Sequence, residues 1–167
     1  MNAPIDAAAA ELRDHIGQVT TTEIEPIPTW WAQRFAMACG ETSAVFFDEA
    51  AAREEGWEAI PLPPLLLSST RAWGAGVRTS ELSPDGTVRH DVGLPRNGGF
   101  RALGGGQRLA FVGDALTGVG YTAEAEIVGV EQKSGRSGDL LIVEMQRRFS
   151  IRGGELVLVC DESRVLR

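Results

Sequence analysis

With 167 residues the chain has room for one sizeable core but not for two ordinary domains. Apolar residues (43%) and charged residues (23%) stand near the average of globular proteins, and no apolar run approaches the roughly 20 residues that cross a bilayer as a helix. A net charge of −7 argues against a nucleic-acid partner, and two cysteines with two distant histidines (His15, His90) argue against a His- or Cys-built metal centre.

The opening, MNAPIDAAAAELRDHIG, carries acids where an export leader would be apolar. It reads as a short surface helix, an N-terminal extension over 1–17 of a cytoplasmic protein, in which Cys39 and Cys160 are expected reduced and buried. A strand is expected near 18–25. Ile27, Trp31, Phe35 and Cys39 recur at steps of four and predict a helix over 27–39, with Pro26 and Pro28 before it and Gly40 after it. Asp48 is a good N-cap for a second helix running through Glu49–Glu55 to Gly56. A third, PPLLLSSTRAWGAG (63–76), starts on prolines and has Arg71 as its one charge, so it is expected in the middle of the domain.

Residues 77–107 read as loop, with turns at SPDG and RNGG. Four strands follow, near 107–113, 119–131, 138–151 and 155–166. Tyr121, Ala123, Ala125 and Ile127 alternate with polar residues, as do Leu141, Val143, Met145, Phe149 and Ile151, interrupted by Arg147. For Arg147 and Arg148, pairing with acids and lining an interface both stay open. The KSGRSG and RGGE turns suit antiparallel hairpins. Helices segregated from strands indicate an α+β fold: one domain over 1–167, with a curved antiparallel sheet around a buried helix.

Few residues suggest chemistry. His90 lies beside Asp91, but neighbours in an extended segment point opposite ways and do not form an oriented dyad; a catalytic base and a surface loop histidine are its two readings. Lys133, Arg136 and Ser137 sit in a glycine-rich turn that either receives phosphates or is a plain solvated hairpin. The LGGGQ run at 103–107 lacks the Lys-Ser/Thr and following helix of a phosphate loop, and fits a bent strand entry better.

Five pieces, in order, carry a resemblance: RFAMACGETSAVFFDEAAAREEGW (34–57), the helix at 63–74, GGGQRLAF (104–111), VEQKSGRSGDLLIVE (130–144) and GGELVLVCDESRVLR (153–167). Together they resemble the FAS1-like N-terminal dehydratase branch of the MaoC-type enoyl-CoA hydratases, whose fold is the hot dog. The resemblance implies addition of water across the double bond of an acyl-CoA or acyl-carrier-protein thioester, with no cofactor beyond the substrate's coenzyme A. Such chemistry needs a base, an acid and backbone donors for the enolate oxygen.

Active members carry Gly-Asp-x-Asn-Pro-x-His. Here Gly40 matches the glycine, Glu41 stands at the Asp, Ser43 at the Asn, Ala44 at the Pro and Phe46 at the His. The branch's Phe-x-Arg-Pro-Leu-x-x-Gly-Asp is likewise replaced: Phe111 and Gly118 keep register, while the Arg-Pro and the Asp are lost. Glu41 is then a lone acid–base group or a solvated carboxylate, and no catalytic residue is assigned beyond Glu41 and His90 as candidates. Phe46 and Phe47 are expected to wall an acyl tunnel while packing in the core, and Lys133, Arg136 and Ser137 to meet the nucleotide end of coenzyme A. The expected role is a non-catalytic subunit that accommodates the acyl chain beside a catalytic MaoC-type hot-dog partner. A homodimeric hydratase or thioesterase with relocated residues, and a non-enzymatic acyl-thioester-binding module, are the alternatives.

Overall fold

A computed structural model describes residues 3–69, 78–82, 100, 102–135 and 138–167, and over them the chain builds five antiparallel strands and four α-helices. The strands are β1 (Thr20–Ile24), β2 (Ala102–Phe111), β3 (Tyr121–Gly135), β4 (Gly138–Ile151) and β5 (Leu156–Leu166), in one sheet of order β1-β3-β4-β5-β2. The helices are α1 (Ala3–Asp14), α2 (Thr29–Ala38), α3 (Glu49–Glu54) and α4 (Leu66–Ser69). The expected α+β architecture is present. Of the expected helix over 63–76, the part after Ser69 lies outside the described residues, as do both turns of the 83–99 stretch.

The alternation on β4 becomes the inner face of the sheet. Leu141, Val143, Met145, Arg147 and Phe149 are all buried there, with Ile127, Ala125 and Ala123 opposite Met145, Arg147 and Phe149. Past Ile127 a register shift moves the parity of β3, so Val130 and Gln132 continue that face opposite Val143 and Leu141. The inner face carries two apolar clusters. One gathers Tyr121, Phe149, Leu158 and Cys160 under α4 and α2; the other gathers Leu141, Val143 and Met145 under α1.

Four details differ from the sequence reading. First, α1 is no mere surface extension: Ile5, Ala8, Ala9 and Leu12 are buried against β3 and β4, and Gln132 Nε2 donates to Asp6 Oδ1 at 2.9 Å. The paired alanines let the helix backbone approach the sheet. Second, α2 turns Ala32 and Ala36 inward, with Trp31 and Phe35 half-buried beside them, and leaves Cys39 exposed at its end. Steps of four advance about 400° rather than 360°, so the stripe begun at Ile27 has precessed about 120° by Cys39. Both cysteines are free, and Cys160 alone is buried. Third, α2 begins at Thr29, two residues later than expected. Fourth, β2 starts at Ala102 rather than near 107, because β5 pairs with the glycine run that local propensity would leave as loop.

The helix ends follow the expected chemistry. Asp48 Oδ1 accepts from Ala51 N at 2.9 Å, and Gly40 takes φ +77° where the chain leaves α2. Asp48→Ala should cost about 1 kcal/mol, read as a lower urea midpoint with an unchanged slope.

Candidate functional site

The candidate site is assembled from the segment that follows α2 and a strap that follows β2. After Gly40, Glu41 N donates to Ala36 O (3.0 Å), and the chain makes one 3-10 turn over Ala44–Phe46. Phe47 N bonds Ala44 O at 2.9 Å, while Gln33 Nε2 of α2 donates to Phe47 O at 3.0 Å, which fixes the turn against the helix. The next segment, 57–64, is rich in proline and therefore stiff.

The strap, 112–118, is tied down along its length. Val112 N and Gly113 N both reach Val157 O, Leu62 N donates to Ala115 O at 2.7 Å, and Thr117 N donates to Ile60 O at 2.9 Å. A Cβ on Gly113 would stand 3.0 Å from Leu156 O, so a side chain there would push the strap off β5. Tyr121, fully buried, holds the middle: its hydroxyl donates to Leu116 O and accepts from Leu116 N, both at 2.7 Å. Burial pushes its pKa up to about 12, against the pull of the Leu116 hydrogen bond.

Between these segments lies a cavity of about 270 Å³. Val45, Phe46 and Trp57 form one wall, residues 61–64 with Leu67 of α4 a second, and Phe111, Val157 and Leu158 the sheet side. Asp114 is the one ionisable residue lining it, among the described residues. Apart from Asp114, walls of this composition desolvate an apolar group and offer nothing that moves a proton to it.

Of the sequence candidates, Phe46 lines this cavity. Phe47 does not, and is anchored through its carbonyl instead. Glu41 sits half-exposed one turn upstream and is not among the lining residues. Lys133 is exposed and pairs with Glu131 at 3.2 Å. It lies ten residues along β3 from Ala123, the residue in line with Phe149 and Leu158, so this chain alone keeps it roughly 30 Å from the cavity. His90, Arg136 and Ser137 lie outside the described residues. Sequence reasoning missed Trp57, Leu67, Asp114 and Leu158; the GWEAIPLPP run was the available signal, an aromatic and three prolines in a row too short for an element.

A second polar group lies in the middle of the inner face, between the two apolar clusters. Arg147 donates through one terminal nitrogen to Glu162 Oε2 (3.1 Å), to Ser68 O at the end of α4 (2.9 Å) and toward Cys160 Sγ (3.8 Å). Its guanidinium lies 5.5 Å from the ring centre of Phe149, and Arg164 reaches Glu162 Oε1 at 3.3 Å. The pairing reading for Arg147 is therefore the one the structure bears out. Burial pushes the Cys160 thiol up, opposed by the adjacent guanidinium. The described residues contain no cluster of three or more His, Cys, Asp or Glu able to hold a metal. None of their helices is long and apolar enough to cross a membrane.

The family model of the FAS1-like dehydratase domain region matches residues 14–159, most of the chain. The chain belongs to this family. Solved structures of similar fold include the C-terminally truncated HadBC (3R-hydroxyacyl-ACP dehydratase) complex of Mycobacterium tuberculosis, at 21% identity and TM-score 0.66, covering 91% of this chain and 97% of that one. The ChsH1–ChsH2 complex of the same organism is similar at 17% identity and TM-score 0.71, over 98% of this chain and 90% of that one. An (R)-hydratase from A. caviae involved in PHA biosynthesis is similar at 17% identity and TM-score 0.61, over 89% and 94%. A comparison with curated proteins finds no match. The fold of this FAS1-like dehydratase-region chain is thus the hot dog, as the resemblance implied.

Proposed function

We propose that this chain is the non-catalytic, acyl-accommodating subunit of a heteromeric MaoC-type enoyl-thioester hydratase or dehydratase. The observation that carries the reading is Phe46 in the wall of an apolar cavity, at the position where the resemblance puts a proton-carrying histidine. Phenylalanine cannot carry a proton, and among the described residues none forms an ion pair or hydrogen bond with the Glu41 side chain. Two of the similar structures are complexes named for two subunits each, which supports a second hot-dog chain as the partner. That partner would carry the acid–base pair and the enolate donors. This chain would take the acyl end of the substrate, with a coenzyme A or carrier-protein thioester lying across the junction.

The free edge of β2 is the place to add a second sheet. Among the described residues it pairs with β5 alone, runs ten residues, and ends in exposed Phe111, followed by exposed Val112. The opposite edge, β1, has five residues and is blunted by Glu23, which is tied to Arg152 at 2.8 Å.

Co-expression with a hot-dog subunit bearing Gly-Asp-x-Asn-Pro-x-His should yield a stable heteromer by light scattering. The heteromer should hydrate a medium-chain enoyl-CoA while the isolated chain does not. Turnover of crotonyl-CoA by the purified chain alone would sink the reading and favour a self-sufficient homodimer, in which Glu41→Gln and His90→Ala become the deciding variants.

A further inference from the structure

The Asp114 carboxylate has no place in an apolar acyl pocket unless it does something to the ligand. It lines the cavity yet is solvent-exposed, which puts it at the mouth. Among the described residues, none forms an ion pair or hydrogen bond with its side chain. Its backbone cannot swing aside, because Gly113 is pressed on β5 and Ala115 O is bonded to Leu62 N.

We propose that Asp114 is a specificity residue that admits ligands with an uncharged apolar end and rejects those whose inserted end is anionic. The proposal rests on the reading of this cavity as the acyl site. The Asp114 carboxylate at the mouth, over low-dielectric walls, repels a second carboxylate, whereas a methyl or hydroxyl terminus passes and a hydroxyl can donate to Asp114. Size sets the other limit. A cavity of about 150 Å³ holds benzene, so about 270 Å³ suits roughly ten heavy atoms. The ligand class is therefore a medium-length or compact neutral acyl group, and ω-carboxylated chains are excluded.

The test uses 1,8-octanediol and suberate, which carry the same group at both ends, at pH 8, each displacing the neutral dye Nile red from the purified full chain. The diol should displace the dye, with suberate at least tenfold weaker. Asp114→Asn should shrink that gap to under threefold, and Asp114→Glu should keep it. Equal displacement by both ligands in the parent protein would overturn the charge filter and leave the cavity reading standing; that comparison requires no variant. A gap unchanged in Asp114→Asn, with parental circular dichroism, would also overturn it. Failure of both ligands to displace dye would overturn the cavity reading itself, and the filter with it.

Discussion

Glu162→Ala should destabilise the protein by about 3–5 kcal/mol, because it removes one partner of a buried ion pair and leaves the other charge uncompensated. The Glu162 side chain is 6% exposed, Arg147 9% and Arg164 11%, so the carboxylate bridges two guanidiniums with little water. For a chain of this length that is a fall of roughly 10 °C or more in Tm. The companion variant gives the converse. Replacing the group together (Arg147→Met, Glu162→Leu, Arg164→Met) should restore stability to within about 1 kcal/mol of the parent or exceed it, since ions extracted from water are often matched by apolar residues of similar volume. Urea midpoints of the two variants decide the matter; a loss below about 1 kcal/mol in Glu162→Ala would mean that water reaches the pair. The ion pair also has a structural duty that the apolar variant abandons. Arg147 donates to Ser68 O and so ties the end of α4 to β4, and α4 carries Leu67 into the cavity wall. A stable triple variant with weakened ligand binding would separate holding the fold from shaping the site.

What could be read from the residues was whatever depends on near neighbours. Asp48 caps three residues onward, Gly40 terminates the preceding helix, and the apolar alternation of β4 runs from Leu141 to Ile151 with Arg147 as its one interruption. What could not be read depends on partners distant in sequence. The register shift after Ile127 reverses which residues of β3 face inward, and nothing local announces it. Gly104 to Gly106 become strand only because β5 lies beside them. Arg147 looks like an error in an apolar stripe until Glu162, fifteen residues on, is brought beside it by the hairpin. The site divides the same way. Phe46 was legible because a motif position points to it. Asp114, Leu67 and Leu158 join it only through the strap, α4 and β5, which no spacing rule connects. Lys133 illustrates the converse: a plausible turn chemistry that the fold places far along the sheet.

Tyr121→Phe should cost about 2–3 kcal/mol although it deletes a single oxygen, because that oxygen satisfies both Leu116 N and Leu116 O in a buried setting. The loss should fall on the strap before it falls on the sheet. Amide hydrogen exchange at Leu116 and Thr117 should quicken more than exchange in β4, and ligand affinity in the cavity should drop, since Ala115 and Asp114 belong to the same strap. A pH series probes the burial of the same hydroxyl. The folded-state value of Tyr121 is raised, to about 12, above the ordinary 10. Between these two values the unfolded chain binds fewer protons than the folded one, so stability falls as pH rises. The contribution is whole below pH 10 and is lost progressively toward pH 12, for a total of about 3 kcal/mol. In Tyr121→Phe that component of the alkaline loss should vanish, leaving a flatter profile above pH 10. If parent and variant lose stability in parallel over this range, the hydroxyl is not protected by burial and the strap is held by its backbone bonds alone.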